Sequence, residues 1–235
     1  MLAFLVCLTL FLFSGFQLFS QWMESRHNSG VYSELRQESL SEPEVPEDLP
    51  SVDFDVLRKI NQDIVAWLYC PDGISYPVVQ SDDNSYYLDH LFDGSRGTAG
   101  CLFLDNRSSA DFSDRHSVIY GHHMKDGSMF GTLEKYREQS YYDEHSVLYL
   151  ITPKTTYRVA LFTAYTADTA SDAWRVEFSD DRQFSLWLES TVSRSFFESD
   201  VIPEADDPIV TLSTCSYDFE DARFVVLGTL TPFTD

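Results

Sequence analysis

From Ser51 onward, apolar residues come in short runs broken by clusters of Gly, Asp, Ser and Asn. Runs of this length, rich in β-branched and aromatic residues and bounded by turn formers, predict strands. Eight follow, near residues 65–69, 78–80, 101–104, 118–120, 147–151, 157–165, 209–214 and 224–230. So many short strands predict a mainly β fold, either a closed barrel or a sandwich. Helical spacing interrupts the pattern three times. Phe54, Leu57 and Ile60 fall on one helix face, with Ser51 as the cap. A second helix is expected over 129–139 and a third over 181–197. In the third, Phe184, Trp187, Leu188, Thr191, Val192 and Ser195 form one stripe, which should pack on the strands.

The first 50 residues follow a different pattern. Residues 1–19 are almost purely apolar, with Trp22 just beyond. That length approaches the roughly 20 residues needed to span a bilayer, and a tryptophan suits its interface. An N-terminal transmembrane signal anchor is therefore expected over 1–22. A cleavable signal peptide would want a charged start and a small-x-small cleavage site, and neither is evident. No Lys or Arg precedes Leu2 to set the orientation, and a start lying upstream would supply the missing basic tail. Residues 23–50 are rich in Ser, Glu and Pro and read as an acidic stalk, with room for a short helix near 31–40. The catalytic domain is expected over 51–235.

Composition narrows the function. At 235 residues and 43% hydrophobic, the chain can build one good-sized core. A formal charge of −22 excludes nucleic acid as a partner, because phosphates would be repelled. Four cysteines are too few for a disulfide scaffold in a domain this large. Cys7 lies in the expected anchor. Cys70 and Cys101 sit in apolar strands as core residues, with a bridge between them left open.

Cys215 differs from the other three. It closes the strand-like run Thr211-Leu212-Ser213-Thr214-Cys215, and Arg223 opens the next run after the polar loop 216–221. If the two strands pair as neighbours, thiol and guanidinium face each other across roughly 5 Å. The guanidinium would then favour thiolate and could hold a developing oxyanion. With only 16 basic residues in the chain, an arginine at this position stands out. A proton partner is available in Ser117-Val118-Ile119-Tyr120-Gly121-His122-His123-Met124, a short strand that ends in two imidazoles. Strand alternation points those two rings to opposite sides, so only one need act.

These motifs resemble class B sortases. The resemblance covers about residues 61–230 and rests on Thr-Leu-Ser-Thr-Cys with its downstream arginine and on the Tyr-Gly-His-His-Met-Lys-Asp-Gly-Ser-Met-Phe-Gly block at 120–131. Four intervening blocks add to it: Asp63-Ile64-Val65-Ala66-Trp67-Leu68, Tyr76-Pro77-Val78-Val79-Gln80, Asp83-Asn84-Ser85-Tyr86-Tyr87-Leu88 and Gly100-Cys101-Leu102-Phe103-Leu104-Asp105. The resemblance implies an eight-stranded barrel, N-terminal helices and a long helix between the sixth and seventh strands. It also implies a membrane-anchored cysteine transpeptidase of Gram-positive bacteria with its catalytic domain outside the cell. Such an enzyme cleaves a C-terminal sorting signal at a Thr-X bond through a thioacyl-enzyme, then passes the protein to a peptidoglycan amine. Carried over by motif, Cys215 is the nucleophile, His122 the proton-transfer residue and Arg223 the oxyanion donor. Asn84, Leu88, Tyr120 and Ser213 match positions that line the signal-peptide groove, and Ser216 is a position that varies and tunes substrate choice.

The expected partners are sorting-signal proteins, the peptidoglycan amine and the membrane, with no cofactor. Two alternatives stay open: a cysteine peptidase that releases the acyl group to water, and a non-catalytic surface protein built on the same barrel. A pilus-building enzyme is disfavoured, because Val52-Asp53-Phe54 lacks the proline of a lid motif. A metal site from His122, His123, Cys215 and Asp218 is also disfavoured, since adjacent strand histidines face apart and no Cys-x-x-Cys spacing appears.

Overall fold

The apolar runs form eight strands: β1 (Ile64–Tyr69), β2 (Ser75–Val79), β3 (Leu102–Leu104), β4 (His116–Tyr120), β5 (Val147–Ile151), β6 (Thr156–Asp168), β7 (Ile209–Cys215) and β8 (Ala222–Pro232). The structure is a computed structural model that describes residues 2–41, 49–71 and 73–233. The strands close into a barrel in the order β8-β6-β5-β1-β2-β3-β4-β7, and β7 returns to β8. Two neighbouring pairs are parallel, β2 with β3 and β4 with β7. The fold is thus the closed eight-stranded barrel expected, and the sandwich reading falls away.

Side-chain alternation gives this barrel two buried faces. On β8, Phe224 and Val226 enter the barrel core, while Val225 and Leu227 join a second apolar cluster outside it. The second cluster is covered by α4 (Asp181–Val192), which runs between β6 and β7 and buries Phe184, Trp187, Leu188 and Thr191. Those positions are spaced i, i+3, i+4, i+7, the stripe read from sequence. Asp180 caps the helix by accepting the Gln183 amide at 2.8 Å. The helix stops at Val192 rather than continuing to 197. Phe197 instead stacks on Tyr142 with ring centroids 4.0 Å apart, in the barrel core.

Other expected elements shift. α2 (Phe54–Ile60) is capped by Asp53, which accepts the amides of Asp55 and Val56, each at 3.0 Å. Ser51 is not the cap; it pairs with Ser41 in a two-residue ladder. The helix expected over 129–139 is a 3₁₀ turn (Leu133–Arg137) followed by α3 (Gln139–Glu144). Its first residues cannot be helical, because Met129 has a φ of +52° and bridges back to His123.

The N-terminal part requires correction. A single helix, α1 (Leu2–Ser39), replaces both the separate anchor and most of the stalk. Tyr32 and Leu35, spaced three apart, are each 4% exposed and pack into the main core. Polar contacts flank them: His27 to Ser95 and Asn28 to Thr98, both at 3.3 Å, and Arg36 to the Ser75 carbonyl at 3.3 Å. Residues 27–41 of the expected stalk therefore belong to the folded body, and its residues 42–48 lie outside the described residues. In the first half of α1, Phe4, Leu10, Phe11, Leu12, Phe13, Phe16, Leu18 and Phe19 are exposed. Ser14, Gly15, Gln17 and Gln21 interrupt that apolar run. Among the described residues no helix is long and apolar enough to cross a membrane, so the spanning anchor over 1–22 is not met there.

Candidate active site

Strand register assembles the site. β7 and β8 pair antiparallel with Cys215 directly opposite Arg223, the arrangement read from the sequence. β4 lies parallel to β7 on its other side, with Tyr120 opposite Ser213. The chain leaves both strands at the same end, so His122 and Cys215 each follow a matched pair by two residues. With a side-chain period of two, both emerge beside Tyr120 and Ser213 at one level. The Gly121 amide keeps the strands together past their ends by donating to the Ser213 carbonyl at 3.1 Å.

A pocket of about 310 Å³ opens there. Cys215, His122, Arg223, Asn84, Leu88, Tyr120 and Ser213 all line it, joined by Phe103, Gly121 and Thr214. The three catalytic and four groove residues carried over by motif are thus brought to one cavity, whereas Ser216 does not line it.

The two histidines do different things. His122 Nε2–H donates to the Leu88 carbonyl at 2.6 Å, which leaves Nδ1 as the basic nitrogen of the neutral ring. His123 does not line the pocket. Its Nδ1–H donates to the carbonyl of Cys215 at 3.1 Å, and a Glu134 carboxylate oxygen lies 3.9 Å away. It braces the backbone beneath the thiol.

Arg223 pairs with no carboxylate among the described residues; its Nη1–H donates to the Ala222 carbonyl at 3.0 Å. In so acidic a chain, an unneutralised guanidinium in a pocket leaves a positive charge available to a ligand. The amide of Ser216 is bonded to the Ala222 carbonyl at 2.9 Å. Arg223 and Cys215, opposite each other in the register, both line the pocket. Ser216 itself is buried, and its hydroxyl donates to Glu134 at 3.0 Å. Arg137 ties the same loop down through Asp218 and Ser216 and also bonds Thr166 on β6, so Asp218 is committed to an ion pair.

Behind the pocket lies a polar network that the sequence did not reveal. Asp105 is fully buried and takes a two-pronged bond from Arg107, 2.8 Å from Nε and 2.7 Å from Nη2. It also accepts the Arg107 amide at 2.9 Å and the Tyr120 hydroxyl at 2.8 Å. Burial works against the charge, but these donors outweigh it and hold the carboxyl down at about 2. Burial, with Asp105 beside it, pushes the Tyr120 phenol up. Arg107 continues to the Trp174 carbonyl at 3.1 Å, and Trp174 Nε1–H donates to Ser213 Oγ at 3.1 Å. Two pocket walls, Tyr120 and Ser213, are thus fixed by one chain of bonds. Below them His116 is fully buried, its Nδ1–H donating to the Arg175 carbonyl and its Nε2 accepting the Thr211 hydroxyl, both at 2.7 Å. Burial drops its pKa to about 4, so it is neutral and structural at ordinary pH.

Among the cysteines, Cys215 alone lines the pocket. Cys70 and Cys101 are buried and unbridged, and burial pushes the Cys101 thiol up to about 12. Cys7 is exposed on α1 and does not line the pocket.

The chain matches the sortase domain family over residues 72–231. It is 35% identical to sortase B of Listeria monocytogenes, over 96% of this chain and 94% of that protein. The chain belongs to the sortase family, class B. Sortase B of Staphylococcus aureus is 30% identical, over 91% of this chain and 89% of that one. The crystal structure of sortase B from Bacillus anthracis in complex with AAEK1 superposes with a TM-score of 0.79 at 35% identity, covering 90% of this chain and all of that one. As a class B sortase, the protein is a cysteine transpeptidase, and its relatives share the closed barrel described above. The family also places it at the cell surface with cell-wall sorting substrates.

Proposed function

We propose that this sortase cleaves a C-terminal sorting signal at a Thr-X bond and transfers the protein to a peptidoglycan amine, with Cys215, His122 and Arg223 as its catalytic residues. The observation that carries the reading is the register: Cys215 opposite Arg223 on β8, and level with His122 beyond β4. Cys215 gives up its proton to His122, and its sulfur attacks the threonine carbonyl carbon. The C–S bond forms while the carbonyl π pair moves onto oxygen, facing the Arg223 guanidinium. Collapse breaks the C–N bond, and His122 returns the proton to the departing amine. An incoming amine then attacks the thioester, loses its proton to His122, and the thiolate leaves. Asn84, Leu88, Tyr120 and Ser213 form the groove for the signal peptide. Residues 51–235 together with the docked half of α1 make up the catalytic domain. The exposed apolar first half of α1 holds it at the membrane, with the barrel outside the cell; the outward Phe and Leu side chains support this attachment.

The test is a fluorogenic sorting peptide incubated with the full chain, with and without an amine acceptor. Cys215→Ala should abolish cleavage, and a cleavable variant would sink the mechanism. Cleavage whose rate and product ignore every amine would make the enzyme a hydrolase.

A further inference from the structure

The docked half of α1 reaches the site through a single turn. Tyr32, 4% exposed, donates its hydroxyl to the Gly100 carbonyl. Gly100 sits at φ +56°, a conformation that glycine adopts without strain. It is also packed tightly. A Cβ there would lie 2.4 Å from the Tyr87 carbonyl oxygen, 2.9 Å from that of Leu88 and 3.2 Å from the His122 ring. The Leu88 carbonyl is the one that accepts His122 Nε2–H. The next amide, that of Cys101, donates to the Tyr87 carbonyl at 3.0 Å and locks the two segments together. Helix, glycine turn, carbonyl and imidazole are therefore in continuous contact.

We propose that Tyr32 is a positioning residue for His122: it holds the Gly100 turn against the Leu88 carbonyl, which selects the Nε2–H tautomer and leaves Nδ1 as base. Helix α1 is then part of the catalytic frame as well as an attachment. This rests on the reading of His122 as the proton-transfer residue. A carbonyl oxygen can only accept a hydrogen bond, so the Leu88 oxygen requires the hydrogen on the Nε2 it faces, and its displacement releases the ring to both tautomers. Proton transfer depends on alignment at the ångström scale, so the loss should appear in turnover more than in substrate binding.

The experiment compares wild type, Tyr32→Phe and Arg36→Ala, all as full chains. Arg36 also docks α1, but onto the Ser75 carbonyl, and it does not line the catalytic pocket. Two readouts are taken: steady-state kinetics on a sorting peptide, and ¹⁵N NMR of the His122 ring, which reports the tautomer without any turnover. For Tyr32→Phe, kcat should fall about three- to tenfold with KM within about twofold, and the ring should change from one tautomer to a mixture. Arg36→Ala should lower the melting temperature and leave both readouts unchanged. The proposal is overturned if Tyr32→Phe keeps the wild-type tautomer and kcat, or if Arg36→Ala reproduces its effects. Gly100→Ala attacks the same contact from the other side and should give the same tautomer mixture, which covers the case of a Tyr32→Phe chain that does not fold. If His122→Ala turns over normally, the assignment of His122 fails, while the tautomer result still judges the contact.

Discussion

Acidification between pH 6.5 and 4 should destabilise this protein through His116. In the fold its ring is enclosed against Trp187, with centroids 4.5 Å apart, and both nitrogens are committed. Protonation would place a charge in a dry site and set an N–H against the Thr211 hydroxyl, which would have to turn away. The folded pKa is accordingly about 4, against 6.5 for an ordinary histidine. Between those values the unfolded chain binds the extra proton and the folded chain does not, so stability falls as pH drops. Nothing is lost above 6.5, and the loss is complete below 4. At pH 4.5 linkage gives a cost of about 2–3 kcal/mol, or roughly 5–10 °C in melting temperature for a domain of this size. The check is thermal and urea unfolding from pH 8 to 4 for wild type and His116→Gln. The variant loses ring packing and starts lower at pH 8, but its stability should decline less on acidification, by that same 2–3 kcal/mol. Groups elsewhere titrate alike in both chains, so the difference isolates His116. Parallel stability curves would refute the reasoning.

Two further substitutions probe the walls of the pocket. Asp105→Asn removes a carboxylate held at about 2 against an ordinary 3.8, so it should cost about 2 kcal/mol at neutral pH. That gap exists above pH 3.8 and closes as the pH of the wild-type melt falls toward 2; a gap that persists in acid would contradict it. Arg223→Lys keeps the charge but loses the guanidinium fork, and it should lower kcat about a hundredfold with a smaller effect on KM in the peptide assay. Wild-type turnover in that variant would mean that Arg223 is not the oxyanion donor.

How legible each feature was in the sequence depended on how local its cause is. The strands could be read because β-branched runs and turn residues act within a few positions. The facing of Cys215 and Arg223 followed from one short hairpin, since a loop of fixed length between two strands sets their register. His122 was found by motif, but its level with Cys215 depends on the parallel pairing of β4 and β7, which are distant in sequence. The stalk was misread because Glu, Ser and Gln suit a solvated linker and a helix surface equally. Only Tyr32 and Leu35, meeting a barrel wall, decide for the helix. The least visible feature was the Asp105, Arg107 and Trp174 network. An aspartate beside an arginine reads as a surface pair, and nothing local brings Trp174 to Arg107 across 67 positions. Yet that network holds Tyr120 and Ser213, the two residues whose pairing sets the level of His122 and Cys215. The reactive groups are written in motifs, whereas part of their alignment is held by Arg107 and Trp174, which lie in none of those motifs. A damaging substitution in this sortase therefore need not fall on Cys215, His122 or Arg223; a change at Trp174 would act on turnover by loosening the wall that aligns them.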